Sequence, residues 1–233
     1  MQAWDGFCPI CEANTSFEAR YDWFRDHLVC KRCQTIPRER ALMLTLRRLA
    51  PDWPDMAIHE SSPHDRGVSK LLRGNCRGYV PTQFFPGVPL GTYHRGFRCE
   101  DIEQQTFADK VFDLVITQDV MEHVFDPAAA YREIHRTLRP GGLHIHTTPI
   151  YKENVSTEHC AEKCRDGTVR HMRQPEYHGN PVDAAGSLVT YRYGRDLPHL
   201  IAQWAPFGVE VHSFHDRHLG LIAEFLDVIV CRR

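Results

Sequence analysis

The chain has 233 residues, of which 42% are hydrophobic and 25% charged, with 28 basic against 30 acidic side chains and a net charge of −2. This composition excludes a disordered or collagen-like chain and does not suit a strongly basic nucleic-acid binder. No run approaches the roughly 18 apolar residues of a membrane span, and the opening Met1-Gln-Ala-Trp-Asp5 is no cationic-then-apolar leader, so neither a membrane span nor an export signal is expected. Nine cysteines, an odd and unevenly spread number, argue against a disulfide framework and for a reducing, cytoplasmic setting.

Four of those cysteines form two Cys-x2-Cys pairs, Cys8/Cys11 and Cys30/Cys33, with 18 residues between them. Two residues between thiolates let one tight turn present both sulfurs to an ion, and a second such turn closes a structural zinc tetrahedron. Phe17, Tyr21, Trp23 and Phe24 between the pairs suffice for two short strands, so residues 1–35 are read as a zinc-ribbon module whose metal supplies much of its folding free energy. Arg25, Lys31, Arg32, Arg38, Arg40, Arg47 and Arg48 make this end locally basic. Two uses follow: a grip on RNA, or a docking or substrate-lid module with a solvated charged face.

From Ile36 to Ala50 apolar residues fall at helical spacing (Leu42, Leu46, Leu49), and Pro51 and Pro54 end the run, giving a linker helix within residues 36–54. Residues 55–233 then alternate strands and helices. Met56–Glu60, Gly78–Gln83, Phe112–Thr117 and Leu143–Thr148 read as strands; a helix carries Val68, Leu71 and Leu72. Asp126 and Pro127 supply an N-cap and first residue for a helix with Tyr131, Ile134 and Leu138 on one face, stopped by Arg139-Pro-Gly-Gly142. A helix near Leu197–Trp204 precedes strands at Val209–Phe214 and Phe225–Val230. Such alternation implies an α/β, doubly wound sheet, in which ligands bind beyond the carboxyl ends of the strands. Chemistry is therefore expected after Glu60, Gln83, Thr117 and Thr148.

Glu100-Asp-Ile102, Phe107-Ala-Asp109, Phe112-Asp-Leu-Val115, Glu122-His-Val-Phe-Asp-Pro127 and Leu138-Arg-Pro-Gly-Gly142 occur in an order that resembles class I S-adenosylmethionine-dependent methyltransferases of the type 11-like group over about residues 55–150. The resemblance implies a Rossmann-like, mostly parallel seven-stranded sheet behind the ribbon, and S-adenosylmethionine as methyl donor. It implies cofactor contacts from Glu60, Ser61, Ser62 and Gln118, ribose contacts from Gln83, and adenine contacts from Asp101 and Ile102. The sequence departs from the family at Glu60-Ser-Ser-Pro-His-Asp-Arg-Gly67, where a glycine-rich turn is usual; serine hydroxyls, backbone N–H groups and Arg66 would take over there. Gln83 stands where the family carries an acid, and an amide bonds a hydroxyl less strongly than a carboxylate does.

Methyl transfer is an in-line displacement in which the protein aligns the partners and excludes water, and a hydroxyl acceptor benefits from a general base. His123 and His178, the latter in Tyr177-His-Gly-Asn-Pro181, are the candidate bases; capping of a loop and an ordinary turn are their structural alternatives. Asp119-x-x-Glu122-His123 also resembles the acidic signature with which ubiquinone-pathway O-methyltransferases and small-RNA 2′-O-methyltransferases hold Mg²⁺. His159, Cys160, Cys164 and His171 offer a second zinc set of irregular spacing, and His144 and His146 read as buried, hydrogen-bonded strand residues. Three functions are thus in play: methyl transfer to an oxygen or nitrogen of a small molecule, such as a sugar or lipid-linked metabolite; RNA methylation; or a non-catalytic binding module on the same fold.

Overall fold

The computed structural model describes residues 2–180 and 182–233; Met1, and Pro181 at the end of the Tyr177–Pro181 motif, lie outside the described residues. The ribbon is a three-stranded antiparallel sheet of β1 (Gln2–Cys8), β2 (Ala13–Ala19) and β3 (Leu28–Cys30), one strand more than expected, with a helical turn α1 (Phe24–His27) before β3. Its two knuckles are tight enough to need left-handed residues, Glu12 at φ 47° and Gln34 at φ 59°. Helix α2 (Pro37–Leu49) follows, its first turn closed by the Glu39 carboxylate accepting from the Ile36 N–H at 2.9 Å. Leu42 and Leu46 are fully buried, as the periodicity predicts.

The main sheet contains β4 (Ala57–Ser61), β5 (Gly78–Gln83), β6 (Tyr93–His94), β7 (Phe97–Cys99), β8 (Phe112–Gln118) and β9 (Leu138–Thr147), with α3 (Gly67–Asn75) after β4 and α4 (Pro127–Thr137) after β8. Between β9 and α5 (Leu197–Trp204) lie three two-stranded ribbons: β10 (Glu158–His159) with β15 (Tyr191–Arg192), β11 (Ala161–Lys163) with β12 (Val169–His171), and β13 (Tyr177–His178) with β14 (Ser187–Leu188). Strands β16 (Gly208–His212) and β17 (Val228–Arg232) complete an eight-stranded sheet of order β16-β17-β9-β8-β4-β5-β7-β6. Its centre, β9-β8-β4-β5-β7, is parallel, and β17, β16 and the two-residue edge strand β6 are antiparallel. The edge strand β6 raises the expected seven strands to eight.

Alternation along the strands splits the core into two layers. Val228 and Val230 of β17 face a cluster with Ile58, Leu114 and Ile116, covered by α2 and α3; Ile229 and Cys231 face a second with Tyr131 and Ile134 of α4 and Ile201 of α5. Ribbon residues Cys8, Ile10, Phe17 and Leu28 belong to the first cluster, so the ribbon shares the apolar core of the sheet. The Arg139–Gly142 segment does not separate helix from strand as expected. It lies inside β9 as a bulge, where pairing shifts from Phe112–Leu138 to Leu114–Leu143 and Gly141 takes φ 80°.

Candidate functional site

The carboxyl ends of β4, β5 and β8 open on a cavity of about 640 Å³. Five of the residues predicted from sequence line it together: Ser62, Gln83, Gln118, His123 and His178. Ser62 sits at φ 56°, in the sharp turn that the missing glycines would otherwise make. Gln118 donates to Glu60 at 2.8 Å, while its carbonyl oxygen is buried without a partner and available to a ligand donor.

Four predicted cofactor residues do not line the cavity. Glu60 is fully buried, its carboxylate accepting from Ser69 at 2.7 Å, Tyr79 at 2.6 Å and Gln118 at 2.8 Å, so it joins α3, β5 and β8. Burial raises its carboxyl above the usual range against the pull of those donors. Ser61 is buried at the end of β4. The Asp101 carboxylate accepts from the Glu103 N–H at 2.9 Å within its own turn, and Ile102 is buried in the second apolar cluster. Arg66 is likewise diverted, pairing with Glu39 of α2 at 3.1 Å.

The opposite wall follows β8. A turn at Met121–His123 places Glu122 in the interior, where one carboxylate oxygen accepts from Thr148 at 2.9 Å and the other has no partner. That free oxygen lies 3.9 Å from His123 Nε2 and 4.0 Å from His178 Nδ1. Burial and the nearby Asp119 charge push the Glu122 carboxyl up to about 7. His123 Nδ1 lies 2.9 Å from the Leu188 carbonyl. A carbonyl only accepts, so the proton is on Nδ1 and Nε2 keeps its lone pair. Burial lowers the His123 pKa, which keeps the ring neutral. The His178 ring meets it edge-on with centroids 5.0 Å apart, and its Nε2 lies 3.4 Å from Glu176, itself paired with Arg192.

Asp119, the first acid of the metal signature, is committed elsewhere: it pairs with Arg25 at 2.5 Å and Arg38 at 3.1 Å and accepts from Thr147 at 2.9 Å. The arginines hold its carboxyl well below the usual range. The expected trio of Asp119, Glu122 and His123 is therefore replaced by Glu122, His123 and His178, whose ligand atoms lie within 4.8 Å of one another. Sequence reasoning missed Trp23, Arg25, Asp26 and Arg38, which bring the ribbon and α2 into the cavity wall, and Tyr151 and Phe225 beside them. No local pattern marks them; they arrive through tertiary contacts.

In the ribbon, Cys8 Sγ lies 3.7 Å from Cys33 Sγ and Cys11 Sγ 3.9 Å from Cys30 Sγ. A tetrahedral zinc with bonds of about 2.3 Å sets its sulfurs about 3.8 Å apart, so the four thiols fit that ion. His159, Cys160, Cys164 and His171 form no such cluster among the described residues; His159 stacks on Tyr191 instead. His144, His146 and Cys231 do cluster, fully buried, but the two rings stack with planes 8° apart and centroids 4.3 Å apart. One ion cannot lie in both parallel ring planes, which leaves them as core residues bonded to Thr117 and Tyr131.

Residues 86–146 match the family of methyltransferase domains (type 11). A ubiquinone biosynthesis O-methyltransferase of Parvibaculum lavamentivorans is 40% identical over 47 residues, 20% of this chain and 19% of that protein. The chain thus spans about a fifth of the length of the curated relatives it matches. The crystal structure of an S-adenosylmethionine-dependent methyltransferase from Mesorhizobium loti superposes with a TM-score of 0.55 at 16% identity, covering 83% of this chain and 98% of that one. An S-adenosylmethionine-bound amino pentose methyltransferase from Micromonospora echinaspora gives 0.53 at 13% identity, covering 85% and 92%. The fold is that of S-adenosylmethionine-dependent methyltransferases. Within it, residues 86–146 match the methyltransferase family, and a four-cysteine ribbon precedes the sheet.

Proposed function

We propose that the chain transfers a methyl group from S-adenosylmethionine to an oxygen of a small-molecule acceptor. The observation that carries this reading is one cavity with strand ends on one wall and His123 and His178 on the other, Glu122 being buried behind the two imidazoles. The Ser62 turn, Gln83 and the unpartnered Gln118 oxygen suit the polar parts of the donor. Asp101 as adenine reader rests on its sequence position alone. Bound there, S-adenosylmethionine supplies an activated methyl on a sulfonium for in-line displacement. His123, neutral and with Nε2 unprotonated, accepts the acceptor's hydroxyl proton, while the Leu188 carbonyl fixes its ring. Trp23, Tyr151 and Phe225 give the cavity an aromatic side, which suits an acceptor with an apolar ring or tail.

The unpartnered Glu122 oxygen favours a second reading in which Glu122, His123 and His178 hold a divalent ion. Such an ion supplies Lewis-acid charge that lowers the pKa of an acceptor hydroxyl. Two imidazoles with one carboxylate suit Mn²⁺ or Zn²⁺ better than Mg²⁺. The RNA reading rests on Arg32 and Arg48, which are exposed, since of the other basic residues at this end Arg25, Arg38 and Arg40 are buried, Arg47 pairs with Glu12 and Lys31 pairs with Glu18. The test is calorimetry with S-adenosylhomocysteine. Saturable heat is expected for the wild type and for His123→Ala, weakened in Gln118→Ala; a folded wild-type protein giving no heat would overturn the proposal.

A further inference from the structure

The residues between the two cysteine pairs reach the cavity wall: Trp23, Arg25 and Asp26 line it, joined by Arg38 of α2. They are bound tightly to one another and to the sheet. The Trp23 indole donates to Asp26 at 2.9 Å and meets the Phe225 ring edge-on with centroids 6.2 Å apart. Arg25 is buried, donating to the Phe225 carbonyl at 2.6 Å and to Asp119 at 2.5 Å. Arg38 bridges Asp26 at 2.8 Å and Asp119 at 3.1 Å. Asp119 directly follows β8 and holds φ 52°, a conformation that a non-glycine residue keeps only where its surroundings impose it. The next residues, Val120–His123, are the turn that carries Glu122 and His123. On the other side, Arg25 lies in α1, which runs directly into β3 and Cys30.

We propose that the cysteine ribbon is a structural half of the acceptor site, with Arg25 and Arg38 as positioning residues that hold the Glu122–His123 turn through Asp119. Metal in the four cysteines then sets the geometry of Glu122 and His123, although the clusters are separate. The ribbon fixes α1, α1 fixes Arg25, and Arg25 with Arg38 compensates the charge of Asp119 in its left-handed conformation. Losing the metal frees β3 and α1, withdraws Arg25 and leaves a largely buried carboxylate short of a partner, which drives the turn to rearrange. This rests on the methyl-transfer reading for what the turn does, but the coupling itself does not.

The experiment is hydrogen–deuterium exchange by mass spectrometry on the full chain in five states: wild type, wild type stripped by a zinc chelator, Arg25→Ala, Arg25→Lys, and Arg32→Ala as an exposed ribbon control. Peptides over residues 119–125 report the Asp119, His123 and Phe125 amides, which are bonded to Thr147, Val120 and Glu103. Their exchange should rise about tenfold in the stripped protein and in Arg25→Ala, as expected when a charge-assisted bond that holds a local opening shut is lost. Peptides over residues 143–147 of β9 should keep wild-type rates, and Arg32→Ala should match wild type throughout. Returning ZnCl2 should restore the stripped protein but not Arg25→Ala, and Arg25→Lys should recover most of the protection. Ribbon peptides that open on stripping while residues 119–125 stay at wild-type rates would overturn the proposal. So would a rise spread equally over β9, which marks plain destabilisation. Calorimetry with S-adenosylhomocysteine on the same wild-type sample separates the two readings: absence of heat sinks methyl transfer and leaves the exchange coupling to be judged on its own.

Discussion

Replacing Glu122 with glutamine isolates the buried carboxyl facing the two imidazoles. Its pKa stands at about 7 against 4.5 for an unhindered glutamate. A folded-state pKa above the unfolded one means that the folded chain binds the extra proton between these values. The stabilisation is thus fully present below pH 4.5 and is lost as pH rises through about 7. At about 1.4 kcal/mol per pH unit, the gap corresponds to about 3 kcal/mol. Glu122→Gln is neutral at every pH, keeps the acceptor for Thr148 and does not lose that amount. The assay is urea unfolding of both proteins at four pH values from 4.5 to 8, read as the difference between their stabilities so that all other titrations cancel. The difference should move by about 3 kcal/mol in favour of the glutamine variant across the range. Parallel stability curves would refute the argument that burial beside Asp119 governs this carboxyl. Repeating the series with MnCl2 tests the ion reading, since an ion held there keeps the carboxylate charged and should stabilise the wild type selectively at high pH.

Metal analysis of the purified chain should give one tightly held zinc per molecule, absent in Cys30→Ser, whose thermal midpoint should fall by at least several degrees. The Arg40 guanidinium donates to the carbonyls of Leu28, Thr35 and Gly220 and lies over the Phe17 ring at 4.6 Å. Arg40→Met should therefore cost about 3 kcal/mol or more in chemical denaturation, because several buried carbonyls lose their donor together. Once an acceptor is found by radiolabel transfer from S-adenosylmethionine, His123→Ala should lower kcat by about 10²- to 10⁴-fold and leave S-adenosylhomocysteine binding intact. Equal activity in that variant would remove His123 from the role of base.

What could be read from the residues follows the range of the forces involved. The cysteine pairs declare themselves because ligand geometry demands a two-residue spacing, and α2 because burial of Leu42 and Leu46 imposes a helical period. Asp126 caps α4 through the Ala129 N–H at 2.8 Å as its position before Pro127 implies. The Pro-Gly-Gly segment misleads, since residues that stop a helix also permit a bulge, and pairing with β8 selects the bulge. Glu60 and Asp101 show the limit at the site. Sequence position places each at a strand end or the turn beyond it, but only the partners across space decide whether the side chain turns to the cavity or, as here, to Ser69 and Tyr79 or to the Glu103 amide.

Arg25 and Asp119 are 94 residues apart, and no spacing rule connects them. Their burial carries an argument that their number does not. Two arginines gathered on Asp119 gain little net stability over apolar residues of similar size, because desolvation offsets much of the attraction. Removal of one member, in contrast, leaves a charge uncompensated and is strongly destabilising. Such a cluster specifies an arrangement more than it adds strength. Here the arrangement specified is the seating of a cysteine ribbon on the strand end beside Glu122 and His123. Arg20 and Arg32 of the ribbon stay exposed, whereas Arg25, together with Arg38 of α2, turns inward and lines the cavity, so the seating is carried by these two arginines.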